Sequence, residues 1–361
     1  MTFARSIRVR GKEIGDGWPC YFVAEIGNNH NGDLETARKL IRAAADAGAD
    51  AVKFQTFKAS DIVSPKVPAD AYPGWDVSDR FSTWREFIET WELPYDAYDG
   101  LIDEAHAHGL AFISTPASFE ALHVLVGKRV DALKIASMDL NNIPLLELAK
   151  RSGLPVLLST GMATLEEIRR SVGTLAGVPL VILHCVSCYP LDYSDANLLN
   201  IRMLRDRFTI PTGFSNHALG WDLDLAAVTL GAVLIEKHFT LSRATDRLAE
   251  HHFSMEPGEM SEMIARARRI EKALGTYERT FTAAEQQSRE LARRSVTVIR
   301  DLARGETIRA GDVTLLRPGT GIEPGSLSRV IGRRVLHDLR AYDTLTWADL
   351  SPETTECESR S

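Results

Sequence analysis

The chain has 361 residues, of which 44% are hydrophobic and 25% are charged. This composition is typical of a globular protein with a large buried core, and it excludes a largely disordered chain. The net charge of −7 excludes the extended basic surface of a nucleic-acid-binding protein, so an anionic substrate has to be attracted by local positive charge.

Strand-like runs alternate with helix-like segments through the first part of the chain. One connecting segment, 34–47, carries apolar residues at helical spacing. Eight such alternations over about 250 residues predict an α/β fold, a closed TIM (β/α)8 barrel rather than an open sheet. The predicted strands are 21–27, 51–57, 111–117, 132–138, 155–162, 181–187, 211–217 and 234–240.

The connection 58–94 is longer than a simple loop between a strand and a helix needs to be. It contains Trp75, Trp84, Trp91 and several prolines. Long connections of this kind are often functional lids, but a structural excursion that covers the barrel has the same signature. Both interpretations stay open from the sequence.

The pattern changes after the barrel segment, and we predict four regions. Residues 1–284 form the barrel domain, and the polar segment 285–294 is a linker. Residues 295–350 contain short strand-like pieces separated by glycine- and proline-rich turns, which predicts a small, mostly β domain. The polar tail 351–361 is expected to be disordered.

No run of about 18 apolar residues occurs, and the first residues lack the features of a secretory leader, so we expect a cytoplasmic protein without a membrane span. The four cysteines are too few for a disulfide framework. Cys185 and Cys188 form a CxxC motif, but positions three apart on a strand face opposite sides. We therefore expect reduced thiols that share no metal.

His217 and His238 each end a predicted strand, with a helix-like segment, 221–230, between them. In one βαβ unit the two parallel strands place both imidazoles at the carboxyl-terminal rim, where barrels hold their reactive groups. Two neutral imidazoles on neighbouring strands can bind one divalent cation. The alternative is a pair of structural histidines.

Charged residues interrupt several of the apolar strands. Period-two alternation puts Lys53 beside Gln55 on one face and Glu236 on the face of His238. An unpaired lysine inside a barrel is costly, so Lys53 and Lys134 need anions. They either form structural ion pairs with Glu25 or Glu236, or they belong to a cradle for a phosphate or carboxylate. Convergence at one end of the barrel favours the cradle, and its further candidate members are Ser159, Thr160, Ser187 and Ser215.

The same residues lie in motifs that closely resemble those of the sialic acid synthase family, N-acetylneuraminate synthase and its relatives. The motifs are, in order, YFVAEIGNNHNG, AVKFQTF, FISTP, LKIAS, NNIPLL, STGMATLEEI, HCVSCYP, GFSNHALG and IEKHFTL. The later motifs SVTVIRDLARGETI, RPGTGIEPG and VIGRRV resemble the antifreeze-like (SAF) domain of that family. The resemblance covers nearly the whole chain, from about residue 7 to residue 350.

The resemblance implies a transferase that condenses phosphoenolpyruvate with an open-chain aldose such as N-acetylmannosamine, giving a 2-keto-3-deoxy sugar acid and phosphate by C–O cleavage. It also implies a divalent metal, Mn²⁺ or Mg²⁺, on His217 and His238, and a domain-swapped homodimer in which Arg317 reaches the partner's barrel. The resemblance assigns catalytic roles to Glu25, Lys53, Lys134 and Asp139. Substrate contacts fall on Gln55, Ser137, Ser159, Ser187, Tyr189, Ser215, Glu250 and Arg317.

Four positions depart from the family pattern. Asp139 replaces a glutamate, and Glu250 replaces an aspartate that contacts sugar hydroxyls in the family. Asn216 replaces an aspartate beside a metal histidine, which we expect to remove a charge that tunes the imidazole. Ser187 stands where some members have asparagine. These departures predict a retained reaction with an altered acceptor, as in legionaminic, pseudaminic or secondary-metabolite sugar biosynthesis, although neutral drift has the same appearance.

Two other functions compete with this interpretation. Lys134 or Lys53 could form an imine with a carbonyl substrate, as in a Schiff-base aldolase. Alternatively, the altered sugar side could belong to a catalytically silent sugar-acid binding protein. Intact Glu25, Lys53 and both histidines argue against the silent protein.

Overall fold

The computed structural model describes residues 3–72, 77–245 and 250–352. The chain divides into two compact units, Met1–Gly275 and Thr276–Ser361. Two predicted features lie outside the described residues: Trp75, and the tail from residue 353 onward. Within the described ranges, no helix is both long enough and apolar enough to cross a membrane.

The first unit begins with an antiparallel hairpin and continues into a closed barrel of eight parallel strands, which confirms the predicted TIM barrel. The hairpin consists of β1 (Ser6–Val9) and β2 (Lys12–Gly15). The barrel strands are β3 (Tyr21–Gly27), β4 (Ala51–Thr56), β5 (Ala111–Pro116), β6 (Ala132–Ile135), β7 (Val156–Ser159), β8 (Leu180–Cys185), β9 (Thr212–Asn216) and β10 (Leu234–His238).

Helices alternate with these strands and surround the barrel. Several begin at a residue that caps the free amide groups of the first turn: Asp33 accepts from Thr36 N, and Thr164 forms a capping box with Glu167. The helices of this unit are α1 (Leu34–Asp46), α2 (Ala59–Ile62), α3 (Trp84–Glu89), α4 (Tyr98–Ala107), α5 (Phe119–Gly127), α6 (Ile143–Ser152), α7 (Leu165–Thr174), α8 (Leu199–Phe208), α9 (Asp222–Thr229) and α10 (Pro257–Leu274).

Side chains alternate along each barrel strand between the helix layer and the barrel interior. On β3, Phe22 belongs to the large core between strands and helices, whereas Tyr21 and Val23 belong to a second core inside the barrel. The interior is narrow at Gly213, where an added Cβ would lie 2.5 Å from Leu234 O. A side chain at this position would therefore disrupt the packing between β9 and β10.

The hairpin closes one end of the barrel. Ile7, Val9 and Ile14 are at most 3% exposed. They belong to the same core as Tyr21, Ala51 and Leu234, which lie at the start of their barrel strands and point into the barrel. This hairpin was not predicted from the sequence. Its two strands have four residues each, and their apolar positions gain a partner only when the barrel forms.

The excursion between β4 and α4 has a small core of its own. Phe57, Trp84, Phe87, Ile88 and Trp91 lie in this core, and the ring of Phe87 contacts those of Trp84 and Trp91 at centroid distances of 5.1 and 4.4 Å. The segment is therefore a packed structural element in its described parts. It also contributes residues to the cavity described below.

The second unit is built around a separate core of ten buried apolar residues. Its β structure is a short antiparallel pair, β11 (Ser295–Val298) and β12 (Val313–Leu316), extended by isolated bridges such as Leu302 with Leu339 and Val335 with Leu350. Up to residue 352 the unit also contains the helices α11 (Ala283–Ala292), which occupies most of the segment predicted as a linker, and α12 (Leu327–Val330).

Candidate active site

A cavity of about 690 Å³ opens at the carboxyl ends of the barrel strands. Its size is in the usual range for a small-molecule site. The barrel residues that the sequence predicted for the site line it, with the exception of Thr160. They are Glu25, Lys53, Gln55, Lys134, Ser137, Asp139, Ser159, Ser187, Tyr189, Ser215, His217, His238 and Glu250.

Strand register brings Glu25, Lys53 and His238 into one row, because Glu25 pairs with His238 on one side and with Lys53 on the other. Lys53 Nζ lies 2.7 Å from Glu25 Oε1, and Gln55 Nε2 donates to the same oxygen at 3.0 Å. Burial opposes the charge of Lys53, but Glu236 and Glu25 outweigh burial and raise the pKa of Lys53. Lys53 is therefore a fixed positive charge on the cavity floor.

Lys134 and Glu236 form a second, looser pair. Their closest atoms are 3.4 Å apart, and Ser215 Oγ donates to Glu236 Oε1 at 2.9 Å. Burial lowers the pKa of Lys134, and Glu236 offsets this only in part. Burial alone would raise the pKa of Glu236, but Lys134 and Lys53 outweigh it and hold that pKa well below the usual range.

Each of the two ion pairs includes a carboxylate with one oxygen that accepts no hydrogen bond from the described residues. Glu25 Oε2 and Glu236 Oε2 are buried without a hydrogen-bond partner among the described residues. A structural ion pair in a core normally satisfies its remaining lone pairs, since an unsatisfied buried oxygen is costly. The lysines thus have carboxylate partners, as one alternative anticipated, and one oxygen of each carboxylate remains able to accept a further hydrogen bond.

The two histidine rings lie next to each other at the rim, with centroids 5.3 Å apart. His217 Nδ1 is 2.9 Å from Val186 O, and a carbonyl can only accept, so Nδ1 carries the proton and Nε2 presents a lone pair. Burial, followed by the neighbouring His238, lowers the pKa of His217 to about 3. This imidazole is therefore neutral at physiological pH, as a metal ligand must be.

A carboxylate lies next to His238. Glu250 Oε2 is 3.1 Å from His238 Nδ1, yet the two atoms are not aligned as a hydrogen bond, and both are buried without such a partner in the described residues. Glu250 also lies over Gly27, whose φ is +53° and where an added Cβ would be 2.4 Å from Glu250 Oε2. Glycine at this position lets the carboxylate approach the rim.

These donors fit a divalent cation that keeps several coordination positions for water or substrate. Among the described residues, no group of three or more histidine, cysteine, aspartate or glutamate side chains is arranged to hold a metal ion by itself. Two neighbouring imidazoles with carboxylate oxygens close by supply nitrogen and oxygen donors of the kind that Mn²⁺ accepts, whereas Mg²⁺ prefers oxygen alone.

Serine hydroxyls line the part of the cavity near β6, β7 and β8. Ser137 Oγ accepts from Gly161 N at 3.0 Å, and Ser159 Oγ and Ser187 Oγ are buried without hydrogen-bond partners in the described chain. Thr160 was expected in the same cradle, and that expectation is wrong. Its hydroxyl donates to Leu183 O at 2.9 Å, because alternation along the strand turns it away from the barrel interior.

A further part of the cavity lining is apolar. The excursion and the rim loops contribute Phe57, Ile62, Val63, Tyr72, Trp84, Ile88, Met138 and Met162. Asp139 directly follows Met138, and it accepts from Asn142 Nδ2 at 3.1 Å. Burial raises the pKa of Asp139. The cavity therefore has a charged floor and an apolar wall.

Asn216 is next to His217 in the chain, but its side chain lies on the other face of β9. Its side chain points into the layer of α9, where Nδ2 donates to Asp224 Oδ2 at 2.9 Å and Oδ1 accepts from Ala218 N at 2.8 Å. Adjacent residues of a strand face opposite sides, so the amide contacts neither imidazole. The expectation that asparagine at this position removes a charge that tunes the imidazole stays a prediction.

Sequence reasoning missed several residues of the site. Asn28 and Thr115 line the cavity beside Gln55 and Lys53, and Phe253 packs against His238 with ring centroids 4.9 Å apart. Thr115 follows the alternation of β5 and could have been found from it. Asn28 and Phe253 lie outside the regular strands, where the sequence carries no periodic signal. Cys185 is buried at the cavity, and Cys188 is exposed.

Arg317 belongs to the second unit, where it follows β12. Its peptide bond to Pro318 is cis. The role expected from the resemblance stays a prediction.

The chain is similar to two known protein families and to several characterised proteins. Residues 40–279 match the NeuB family and residues 293–351 match the SAF domain. The N,N'-diacetyllegionaminic acid synthase of Legionella pneumophila is 39% identical over 93% of this chain and 96% of its own. The enzyme of that name from Campylobacter jejuni is 35% identical over 86% and 94%. The crystal structure of N-acetylneuraminic acid synthetase from Leptospira borgpetersenii, in complex with citrate, is similar with a TM-score of 0.70 at 34% identity, covering 78% of this chain and 94% of that one.

Proposed function

The chain belongs to the NeuB family, and from that premise we propose that it condenses phosphoenolpyruvate with an open-chain, N-acylated amino sugar to give a 2-keto-3-deoxy sugar acid and phosphate. One observation carries the proposal. Two buried lysines, each beside a carboxylate with an unsatisfied oxygen, lie in the same cavity as two neighbouring imidazoles.

The lysines hold the charged ends of phosphoenolpyruvate. Lys53 and Lys134 are at most 4% exposed, so their attraction for the phosphate and carboxylate is little screened by water. Ser159 and Ser187 offer hydroxyls to the same groups, and neither hydroxyl has a hydrogen-bond partner in the described parts of the chain. Fixing both ends of the substrate orients C3 of the enol toward the aldehyde carbon, which lowers the entropic cost of forming the C–C bond.

Glu25 acts at C2. As C3 attacks the aldehyde carbon, positive charge develops at C2, and the free Oε2 of Glu25 stabilises it. Water then adds to C2 while Glu25 accepts its proton. The tetrahedral intermediate breaks the C2–O bond, and the electron pair leaves with the bridging oxygen as phosphate.

The two histidines hold the divalent cation of the proposal. Such an ion supplies Lewis-acid polarisation of the aldehyde oxygen. His217 is oriented for this by its bond to Val186 O, and the ring of Tyr189, 4.2 Å from that of His217, covers it. We favour Mn²⁺ over Mg²⁺ because imidazole nitrogen is a poor ligand for Mg²⁺.

The acceptor meets the apolar wall. Met138 and Met162 are more than 70% exposed, and Ile62 and Tyr72 are also accessible in the chain. A sugar with acetamido and 6-deoxy methyl groups buries apolar area against such a wall, whereas a fully hydroxylated sugar leaves polar groups without partners. The legionaminic acid synthases among the relatives support this choice. We therefore place a 6-deoxy, diamino analogue of N-acetylmannosamine ahead of N-acetylmannosamine itself.

The experiment is phosphate release from phosphoenolpyruvate by the full-length protein with each acceptor, in the presence of Mn²⁺. With ¹⁸O in the bridging oxygen, C–O cleavage delivers the label to phosphate. Glu25→Gln is the matched negative control. If neither acceptor supports phosphate release above this control while the sugar acid itself binds tightly, the protein is the silent binding protein instead.

A Schiff-base aldolase is the second candidate, and the lowered pKa of Lys134 favours it, because an imine-forming lysine must be able to lose its proton. Borohydride treatment with pyruvate separates the two functions. A covalent adduct on Lys134, absent in Lys134→Arg, together with activity that survives EDTA, would establish the aldolase. The synthase gives no adduct.

The proposal includes Arg317 as a group supplied by a partner subunit, on the strength of the resemblance alone. Mixing inactive Arg317→Ala and Glu25→Gln proteins tests it. If the arginine acts across a dimer, half of the randomly mixed dimers contain one intact site, and activity returns to about a quarter of the wild-type value. If Arg317 acts within its own chain, the mixture stays inactive.

A further inference from the structure

We propose that Asp224 is a positioning residue for the two histidines of the cavity. It contacts Asn216 and Lys237, the residues directly before His217 and His238 in the chain, and so holds the ends of their strands in a fixed relation. This inference rests on the proposed function, in which those histidines hold a divalent cation.

The three side chains meet in the layer between the barrel and α9. Asn216 Nδ2 donates to Asp224 Oδ2 at 2.9 Å, and Lys237 Nζ is 3.7 Å from the same oxygen. Their exposed fractions are 1%, 0% and 2%. Ala218 is tied to the same cluster, since its carbonyl accepts from Lys237 Nζ and its amide donates to Asn216 Oδ1.

Alternation along the strands connects this cluster to the cavity. The residue before each histidine faces away from the barrel interior when the histidine faces into it. In the register of β9 and β10, Asn216 lies opposite Lys237. A single carboxylate on the intervening helix therefore contacts both strands one residue before their imidazoles. Any slip of one strand against the other would break these contacts and change the 5.3 Å separation of the rings.

The composition of the cluster indicates a purpose other than stability. A buried pair of charges usually contributes less to stability than apolar side chains of the same volume, and such pairs are best attested as devices that fix register. Neither Asp224 nor Lys237 lines the cavity or takes part in the proposed chemistry. The asparagine at position 216 also fits, because an aspartate there would place two carboxylates 2.9 Å apart.

The experiment measures Mn²⁺ affinity of the full-length protein by electron paramagnetic resonance, in parallel with phosphate release. The variants are Asp224→Asn, Asn216→Asp and the double variant that carries both. Each single change upsets the contact, one by removing the carboxylate and the other by adding a second. The double variant exchanges acid and amide and keeps one carboxylate for Lys237.

We expect each single variant to bind Mn²⁺ about 10- to 100-fold more weakly, the range typical for groups that orient metal ligands, and the double variant to recover most of the affinity. Ser171→Ala is the matched control, because Ser171 is a fully buried residue of α7 that donates to Leu140 O at 2.6 Å. It lowers the melting temperature and leaves Mn²⁺ affinity unchanged.

Unchanged Mn²⁺ affinity in folded Asp224→Asn and Asn216→Asp proteins would overturn the positioning role, as would equal losses in the Ser171→Ala control. If the single variants do not fold, Asp224→Asn combined with Lys237→Met removes both charges together, and the same loss of affinity is expected. A wild-type protein that releases phosphate but binds no Mn²⁺ would overturn the cation and this inference with it. A wild-type protein that binds Mn²⁺ but releases no phosphate contradicts the proposed reaction alone.

Discussion

The two ends of the barrel are built from the same eight strands and have opposite properties. At the amino-terminal end the interior residues are apolar, such as Tyr21, Ala51 and Leu234, and the hairpin covers them with Ile7, Val9 and Ile14. At the carboxyl-terminal end the interior residues two to four positions later are charged or polar, and several of their atoms lack partners among the described residues.

This contrast shows how one fold separates stability from chemistry. Apolar burial at the closed end stabilises the barrel without regard to substrate. Unsatisfied buried groups at the open end cost stability and are kept in place by the closed end and by the helices around it. Mutations at the two ends should therefore change different measurable quantities.

Removing the divalent cation should give the largest effect of all, a loss of phosphate release, which depends on the open end of the barrel. We expect EDTA to reduce phosphate release to background and Mn²⁺ to restore it. His238→Ala should lower the rate about 10³-fold even with Mn²⁺ present, since Lewis-acid stabilisation is worth several kcal/mol. Steady-state phosphate release measures both. Full activity of His238→Ala in EDTA would show that the histidines do not hold a required metal.

Glu25→Gln should follow, with kcat lowered about 10²- to 10⁴-fold, the usual contribution of a general acid or base. The amide keeps the size of the side chain but can neither accept a proton nor stabilise positive charge at C2. Binding of phosphoenolpyruvate, measured by calorimetry, should remain because the lysines are intact. A variant with wild-type turnover would contradict the role of this carboxylate.

At the closed end, Ile14→Ala should have the reverse pattern. Ile14 is fully buried in the barrel-interior core, so the truncation leaves a cavity and should lower the free energy of unfolding by about 2 to 5 kcal/mol. Urea denaturation measures the loss, and kcat at a permissive temperature should stay near the wild-type value. A large fall in kcat without a loss of stability would remove the distinction between the two ends.

Acid should lower the stability of the folded protein through His30, which follows β3 at the open end of the barrel. This ring is 1% exposed, and burial lowers its pKa to about 4 from 6.5 in the unfolded chain. The unfolded state then binds more protons below pH 6.5, so the stability that neutral His30 contributes is present above that pH and is lost as the pH falls toward 4. Between pH 7.5 and pH 5 the loss from this residue is about 2 kcal/mol.

The measurement is urea denaturation of wild type and His30→Asn at both pH values. The variant lacks the titrating group, so its stability should depend less on pH by about that amount. The same pH dependence in both proteins would show that His30 is not the group responsible.

Much of the barrel could be predicted because its strands are buried on both faces and bounded by turns and amphipathic helices. The eight predicted strands agree with β3–β10 to within three residues at each end. The cavity residues followed from alternation along those strands, which is why Lys53 and Gln55, or Ser215 and His217, were placed together correctly. Thr160 was placed wrongly because it directly follows Ser159, and neighbouring residues along a strand face opposite sides.

The sequence by itself determined the alternation of strands and helices, the rim on which the charged groups lie, and the family. Tertiary structure alone decided which groups meet. The pairing of Lys53 with Glu25, the approach of Glu250 to His238 and the contact of Asp224 with Asn216 and Lys237 join residues from different elements. Periodicity reports the face on which a residue lies, whereas distances between faces depend on barrel closure and strand register.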